Sequence, residues 1–178
     1  MKLAYCAIFG LLLSAFTIAA TPARADDVNR LSLGVGAFDL FDSDNDTAAD
    51  FRIEYRPGAA IVWELRPWIG AEVTSDGALF GAAGFLYDYN MGNNWIITPS
   101  FGGGLYSDGG GKDMGSAIQF RSQIELGYQL QNSSRISASL SHQSNLGIDD
   151  NNPGAETLGV YYHIPMNWVK SGPGSNGY

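Results

Sequence analysis

The chain has 178 residues, with 18 Asp and Glu against 10 Lys and Arg and a net charge of −8. That length suits one domain, and the acidity, with no Lys/Arg cluster, excludes a nucleic-acid partner, whose phosphates need a basic face. The 23 Gly, 9 Tyr, 9 Phe and 4 Trp favour many strands and turns over a helical bundle.

Residues 1–25 read as a secretory signal peptide. Lys2 gives the positive start, Leu3 to Ala20 the apolar stretch, and Ala23-Arg24-Ala25 an A-x-A cleavage site. A retained transmembrane anchor is the alternative, and the cleavage site directly after the apolar stretch argues against it. Cys6, the single cysteine, lies in this leader, so a mature chain beginning near Asp26 holds no disulfide.

Beyond the leader no apolar run reaches helix-spanning length. Period-two alternation predicts eight strands, at about 31–41, 48–56, 67–75, 78–89, 94–106, 115–130, 134–144 and 156–164. The third and fourth alternate less cleanly. Turn signals separate the segments: D-S-D-N-D, P-G, S-D-G, N-M-G-N-N, D-G-G-G-K-D, Q-N-S-S and D-D-N-N-P-G. Phe51, Ile53 and Tyr55 oppose Arg52, Glu54 and Arg56. Ile118, Phe120, Ile124, Leu126 and Tyr128 oppose Gln119, Arg121, Gln123 and Glu125. The Pro57–Leu65 link is apolar for a turn and is expected to pack at a membrane interface.

Two architectures share this pattern. A soluble lipocalin-like barrel hides its apolar face; a membrane barrel shows it to lipid. The even strand count, strands of about ten residues and alternating loop character favour an eight-stranded antiparallel up-and-down transmembrane β-barrel over residues 26–169. Its polar faces, with Arg52, Glu54, Glu72, Gln119, Arg121, Gln123 and Glu125, would then pair inside. With both termini periplasmic, Tyr55, Trp68, Tyr87, Tyr89, Trp95, Tyr128 and Tyr162 would form an aromatic belt at that end. Residues 170–178 read as a disordered tail.

His142 and Ser144 continue the lipid-facing stripe of Ile136, Ala138 and Leu140, at its outer end. Glu156 opens the next strand on the same face. Adjacent strands lie about 4.8 Å apart, which brings Glu156 within reach of His142. A triad reading makes Ser144 the nucleophile, His142 the base and Glu156 its orienting group, with Asn145 and the Gly147 N–H as oxyanion donors. Such a site would open sideways into the outer leaflet and take a lipid ester. By spacing alone, ordinary rim polar residues are the better reading, because H-x-S is common.

Other candidates carry less. Asp42-Ser-Asp44-Asn-Asp46 resembles the start of a calcium loop but has Thr47 at the Gly position and Ile53 at the Glu position, so it reads as a solvated acidic loop. His163 faces inward without a nameable partner, which suggests a structural role. The 102–111 glycine-rich stretch is no phosphate loop, because no helix start follows it; it reads as a mobile extracellular loop with a strand end. No metal or cofactor is expected.

H-Q-S-N-L-G (142–147) followed by N-P-G-A-E (152–156) resembles the signature of the outer-membrane lipid A 3-O-deacylases, also described as acyloxyacyl hydrolases. E-Y-R-P-G (54–58), T-S-D-G-A (74–78), T-P-S-F (98–101) and G-K-D-M-G (111–115) are similar to the family too. The resemblance implies a triad of His142, Ser144 and Glu156, oxyanion elements at Asn145 and Gly147, and Leu146 where the family carries a small residue. It implies hydrolysis of the 3-position acyl ester of lipid A in lipopolysaccharide, in the bacterial outer membrane at the extracellular leaflet. A homodimer, and divalent ions bridging lipopolysaccharide phosphates, are left open. So are two other readings, a non-catalytic structural or adhesion barrel and a soluble periplasmic lipid-binding barrel.

Overall fold

The computed structural model describes residues 28–41 and 47–166. The leader at 1–25, the acidic loop at 42–46 and the tail at 170–178 lie outside the described residues.

The strands are β1 (Arg30–Phe38), β2 (Ala48–Arg56), β3 (Arg66–Thr74), β4 (Leu79–Leu86), β5 (Tyr89–Gly92), β6 (Trp95–Ser107), β7 (Ile118–Gln129), β8 (Arg135–Ser144) and β9 (Ala155–Pro165). All pairings are antiparallel. β1 pairs with both β2 and β9, and β4 pairs with β6, so eight strands close into a barrel. β5 is a short ribbon on the lower part of β6. The fourth expected segment therefore ends at Leu86, and N-M-G-N-N forms part of a hairpin rather than a bare turn. Asn93 and Asn94 make its bend at φ of 51° and 68°, a left-handed conformation that Asn tolerates.

The alternation resolves as a membrane barrel does, with apolar side chains outward. Phe51, Ile53, Ile69, Ile124, Ile136 and Val160 are exposed on the outer wall, while Arg52, Glu54, Glu72, Arg121, Gln123 and Glu125 are buried inside. In an interior this narrow, every charge needs a partner. Arg56 Nη2 bonds Glu54 Oε2 at 2.6 Å and Glu125 Oε1 at 2.7 Å. Arg121 bonds the other oxygen of Glu54. Arg52 Nε lies 2.6 Å from Asp50 and 2.9 Å from Glu72. His163 does have partners: Ser32 Oγ at 2.7 Å, Ser137 Oγ at 2.9 Å and Glu125 Oε2 at 3.2 Å. These fill both ring nitrogens and make it a structural member of the network.

Trp68 departs from the expected belt. It is 2% exposed and lies inside the barrel beneath Arg121, whose guanidinium carbon is 4.4 Å from the ring centroid. The parity of β3 dictates this, because Trp68 shares a face with Arg66 and Glu72. Gly102 makes the room; a Cβ there would stand 2.4 Å from Trp68 Cζ2. Trp95, Tyr128 and Tyr162 do face outward, with Trp95 and Tyr128 in edge contact at 5.2 Å.

The interior is layered. At the end where β8 stops and β9 starts, Phe38, Ala48, Ala78, Phe80, Tyr106, Met114 and Ala155 form an apolar plug. Met114 comes from the β6–β7 connection, which crosses the mouth and is fastened there. Lys112 Nζ reaches Asp39 at 2.6 Å, and Tyr106 donates to Lys112 O at 2.7 Å. Residues 102–107 of the glycine-rich stretch are strand, and the loop begins only at Asp108.

The opposite mouth is closed by charge. Asp88, in the connection after β4, accepts from Arg135 at 2.8 Å and Arg66 at 3.1 Å. Burial alone would raise its carboxyl; Arg135, Thr98 and Arg66 outweigh this and hold it at about 2, against 3.8 ordinarily. A carboxylate whose pKa is lowered by folding contributes stability that is full above about pH 4 and is lost as pH falls through 2. We expect Asp88→Asn to lower stability by about 2 kcal/mol at pH 7 and to remove this part of the acid dependence. Urea midpoints in detergent between pH 7 and 2 check this, and parallel pH profiles for the two proteins would refute it.

Candidate active site

His142 lies on the outward face of β8 and Glu156 on that of β9, in direct cross-strand register. His142 Nδ1 and Glu156 Oε1 are 3.0 Å apart, with both side chains about one-third exposed. An ionised carboxylate only accepts, so Nδ1 donates, and the ring is held with its lone pair on Nε2. Strand pairing thus supplies the contact that parity predicts.

Ser144 is two residues further along β8, on the same face by parity, opposite Phe120 of β7. It is only 7% exposed, whereas an outward residue at a bare rim would be open. Leu146 and Gly147 both take positive φ, 54° and 81°, so the backbone turns sharply after Asn145.

Asn145 is fully buried and holds this turn from all sides. Its Nδ2 donates to Met114 O at 3.1 Å and Asn151 O at 2.8 Å, and its Oδ1 accepts from Gly147 N–H at 2.9 Å. Its own N–H donates to Asn152 Oδ1 at 3.0 Å. The amide therefore ties the β8 end to both neighbouring loops. Gly147, the other sequence-predicted oxyanion residue, lies three residues beyond Ser144 with its N–H turned toward Asn145 Oδ1.

Residues outside the H-x-S and Glu signal complete the rim. Gly154, at φ 72°, lies against the imidazole; a Cβ there would stand 3.0 Å from His142 Cε1 and 3.8 Å from Nε2. Gly115 meets the β8–β9 loop so closely that a Cβ would fall 1.8 Å from Asn151 O. The N-P-G and D-M-G triplets mark both positions in the sequence, but only folding shows what they touch. Among the described residues no group of three or more His, Cys, Asp or Glu could hold a metal ion.

The model of the lipid A 3-O-deacylase (PagL) family matches residues 50–165, more than half of the chain and including every residue of this rim. The chain belongs to the PagL family. The lipid A deacylase PagL of Bordetella bronchiseptica is 32% identical over 108 residues, which are 56% of this chain and 61% of that protein. The chain thus aligns with less than two thirds of that relative. A crystal structure of the outer membrane enzyme PagL superposes with a TM-score of 0.59 at 22% identity, covering 77% of this chain and 99% of the other. A de novo designed transmembrane β-barrel gives 0.54 at 12% identity, over 78% and 96%. At such identities these structures speak for the fold, the closed barrel described above.

In this PagL-family chain, Gly154→Ala adds a methyl against the His142 imidazole and forces Ala into a left-handed conformation, at a cost of about 1–2 kcal/mol. We expect the barrel to fold and the His142–Glu156 bond to weaken. In proton NMR in micelles, the low-field Nδ1–H signal of His142 would shift upfield or vanish. An unchanged signal would show that Gly154 does not set the ring position.

Proposed function

We propose that this chain is an outer-membrane ester hydrolase that removes the acyl chain esterified at position 3 of lipid A. The observation that carries the reading is the His142–Glu156 pair beside Ser144, on the lipid-facing side of the rim. Charge is expensive on that face and grows cheaper toward the interface, and a bonded acid–base pair there suits a substrate that arrives from the membrane. Family membership supplies the substrate class.

In this mechanism Ser144 Oγ attacks the ester carbonyl while His142 Nε2 takes its proton. Glu156 keeps the tautomer and stabilises the imidazolium. Collapse of the tetrahedral intermediate breaks the ester C–O bond, and His142 returns the proton to the leaving sugar hydroxyl. Water, deprotonated by the same imidazole, releases a 3-hydroxy fatty acid from Ser144. Gly147 N–H serves the oxyanion. The neutral Asn145 Oδ1 is its present acceptor, and a developing negative charge forms the stronger bond. Both Nδ2 hydrogens of Asn145 are engaged, so its part is to hold Gly147 in place.

The site end lies away from the Arg30 and Pro165 strand ends and carries the ten-residue β6–β7 and β8–β9 connections, which supports a position at the extracellular leaflet if both termini are periplasmic. The test uses purified protein with lipopolysaccharide in detergent, read by mass spectrometry. Wild type should yield lipid A lacking one 3-hydroxyacyl chain, and Ser144→Ala should lower the rate at least about 10³-fold with its heat-modifiable mobility on gels retained. Intact lipid A with the wild-type protein would sink the reading in favour of a non-catalytic barrel, and an active Ser144→Ala would sink the triad.

A further inference from the structure

At the barrel end remote from the candidate site, the β2–β3 turn presents Ala59, Ala60, Ile61, Val62 and Trp63 in succession. Ile61 is 64% exposed, Val62 46% and Trp63 87%. The other turns at this end are polar, built on Asn93-Asn94 and on Gln131-Asn132-Ser133. The apolar tip is therefore a local feature of this hairpin.

Its backbone is well defined. Ile61 N–H donates to Leu65 O at 2.8 Å, and Leu65 N–H to Val62 O at 2.9 Å. Val62 and Leu65 pair as an antiparallel bridge. Trp63 and Glu64 occupy the bend at φ of 48° and 65°, where Asn and Gly are the usual residues and bulky ones are strained. Gly58 N–H donates to Asn29 Oδ1 at 2.9 Å and ties the foot of the turn to the segment leading into β1. The chain thus holds three large apolar side chains outward in a strained, self-bonded bend.

We propose that this turn is a membrane anchor, with Ile61, Val62 and Trp63 inserted in the phospholipid leaflet at the end opposite the site. The lipid-facing wall leads directly to it: Ile53 lies above Tyr55 on β2, and Tyr55 pairs with Ile69 on β3. β2 and β3 are 9 residues each, against 13 for β6 and 12 for β7. A nine-residue strand tilted by about 40° covers roughly 23 Å, slightly short of an apolar band of about 25 Å. The apolar turn extends the wall on its short side. Two backbone bonds within the hairpin lower the cost of entry into an apolar phase, and indole is the ring that interfaces favour. Three side chains are too few for a stable protein interface, which needs about 800 Å² per partner.

The test reconstitutes the full chain in phosphatidylcholine vesicles with brominated acyl chains, or with iodide on both sides of the membrane. The emission of Trp63 is the difference between wild type and Trp63→Phe; that of Trp95, on the lipid-facing wall, is obtained in the same way from Trp95→Phe. Brominated lipid should quench Trp63 at least as strongly as Trp95, and iodide should leave it nearly unaffected. Quenching by iodide alone would place the turn in water. Protection from both quenchers would mean that protein covers it, whether a second copy, another partner or a terminus of this chain. Either result overturns the proposal.

Discussion

Glu54 sits at the centre of the constraint that shapes this chain. It accepts from Arg56 and Arg121 inside a barrel whose outer wall is apolar. Charges that cannot face lipid must lie inside, and a narrow interior leaves no bulk water to solvate them. Each must then meet a partner, and the partners lie on different strands: β2 with β7, and β7 in turn with the β9 histidine. Removing one member leaves another charge buried and unpaired, a loss of about 3–5 kcal/mol. The network also fixes register, since a slip of one residue in any strand would turn its arginines and glutamates outward.

That rigid wall also sets the geometry of the His142–Glu156 pair at its rim. His142 and Glu156 are directed by strand register, so their geometry is set by the ladder rather than by a mobile loop. The turn after Ser144 is held differently. Asn145 gathers carbonyls from two connections, and Met114 anchors one of these in the apolar plug below. The β6–β7 connection thus joins the plug through Met114, Asp39 through Lys112 and the turn after Ser144 through Asn145. Strain at Leu146 is stored where the backbone turns sharply beyond Ser144, and Gly147 takes its own positive φ without that cost.

Period-two alternation made the eight strands and their inward and outward faces legible, most clearly in β7 and β8. It was weakest in β3 and β4, where Pro67, Gly70, Gly81 and Gly84 interrupt it and where an inward Trp68 looks like a belt residue. β5 was hidden because a two-Asn bend reads as a plain turn. At the site, parity and strand spacing sufficed to join His142 to Glu156. The burial of Ser144 and the commitments of Asn145 were not legible; the latter depend on Met114 and Asn151, which only folding brings to the rim. The same holds for His163, whose partners come from β1, β7 and β8.

The central claim is that Ser144 becomes a nucleophile through the His142–Glu156 pair. An alkyl fluorophosphonate, which phosphonylates an activated serine with loss of fluoride and carries a chain that enters from the lipid side, tests it most directly. Peptide mass spectrometry of the labelled barrel should find one adduct, on Ser144, and Glu156→Gln should slow its formation. An adduct on another residue, or hydrolysis that persists with Ser144 unlabelled by an excess of the reagent, would contradict the account.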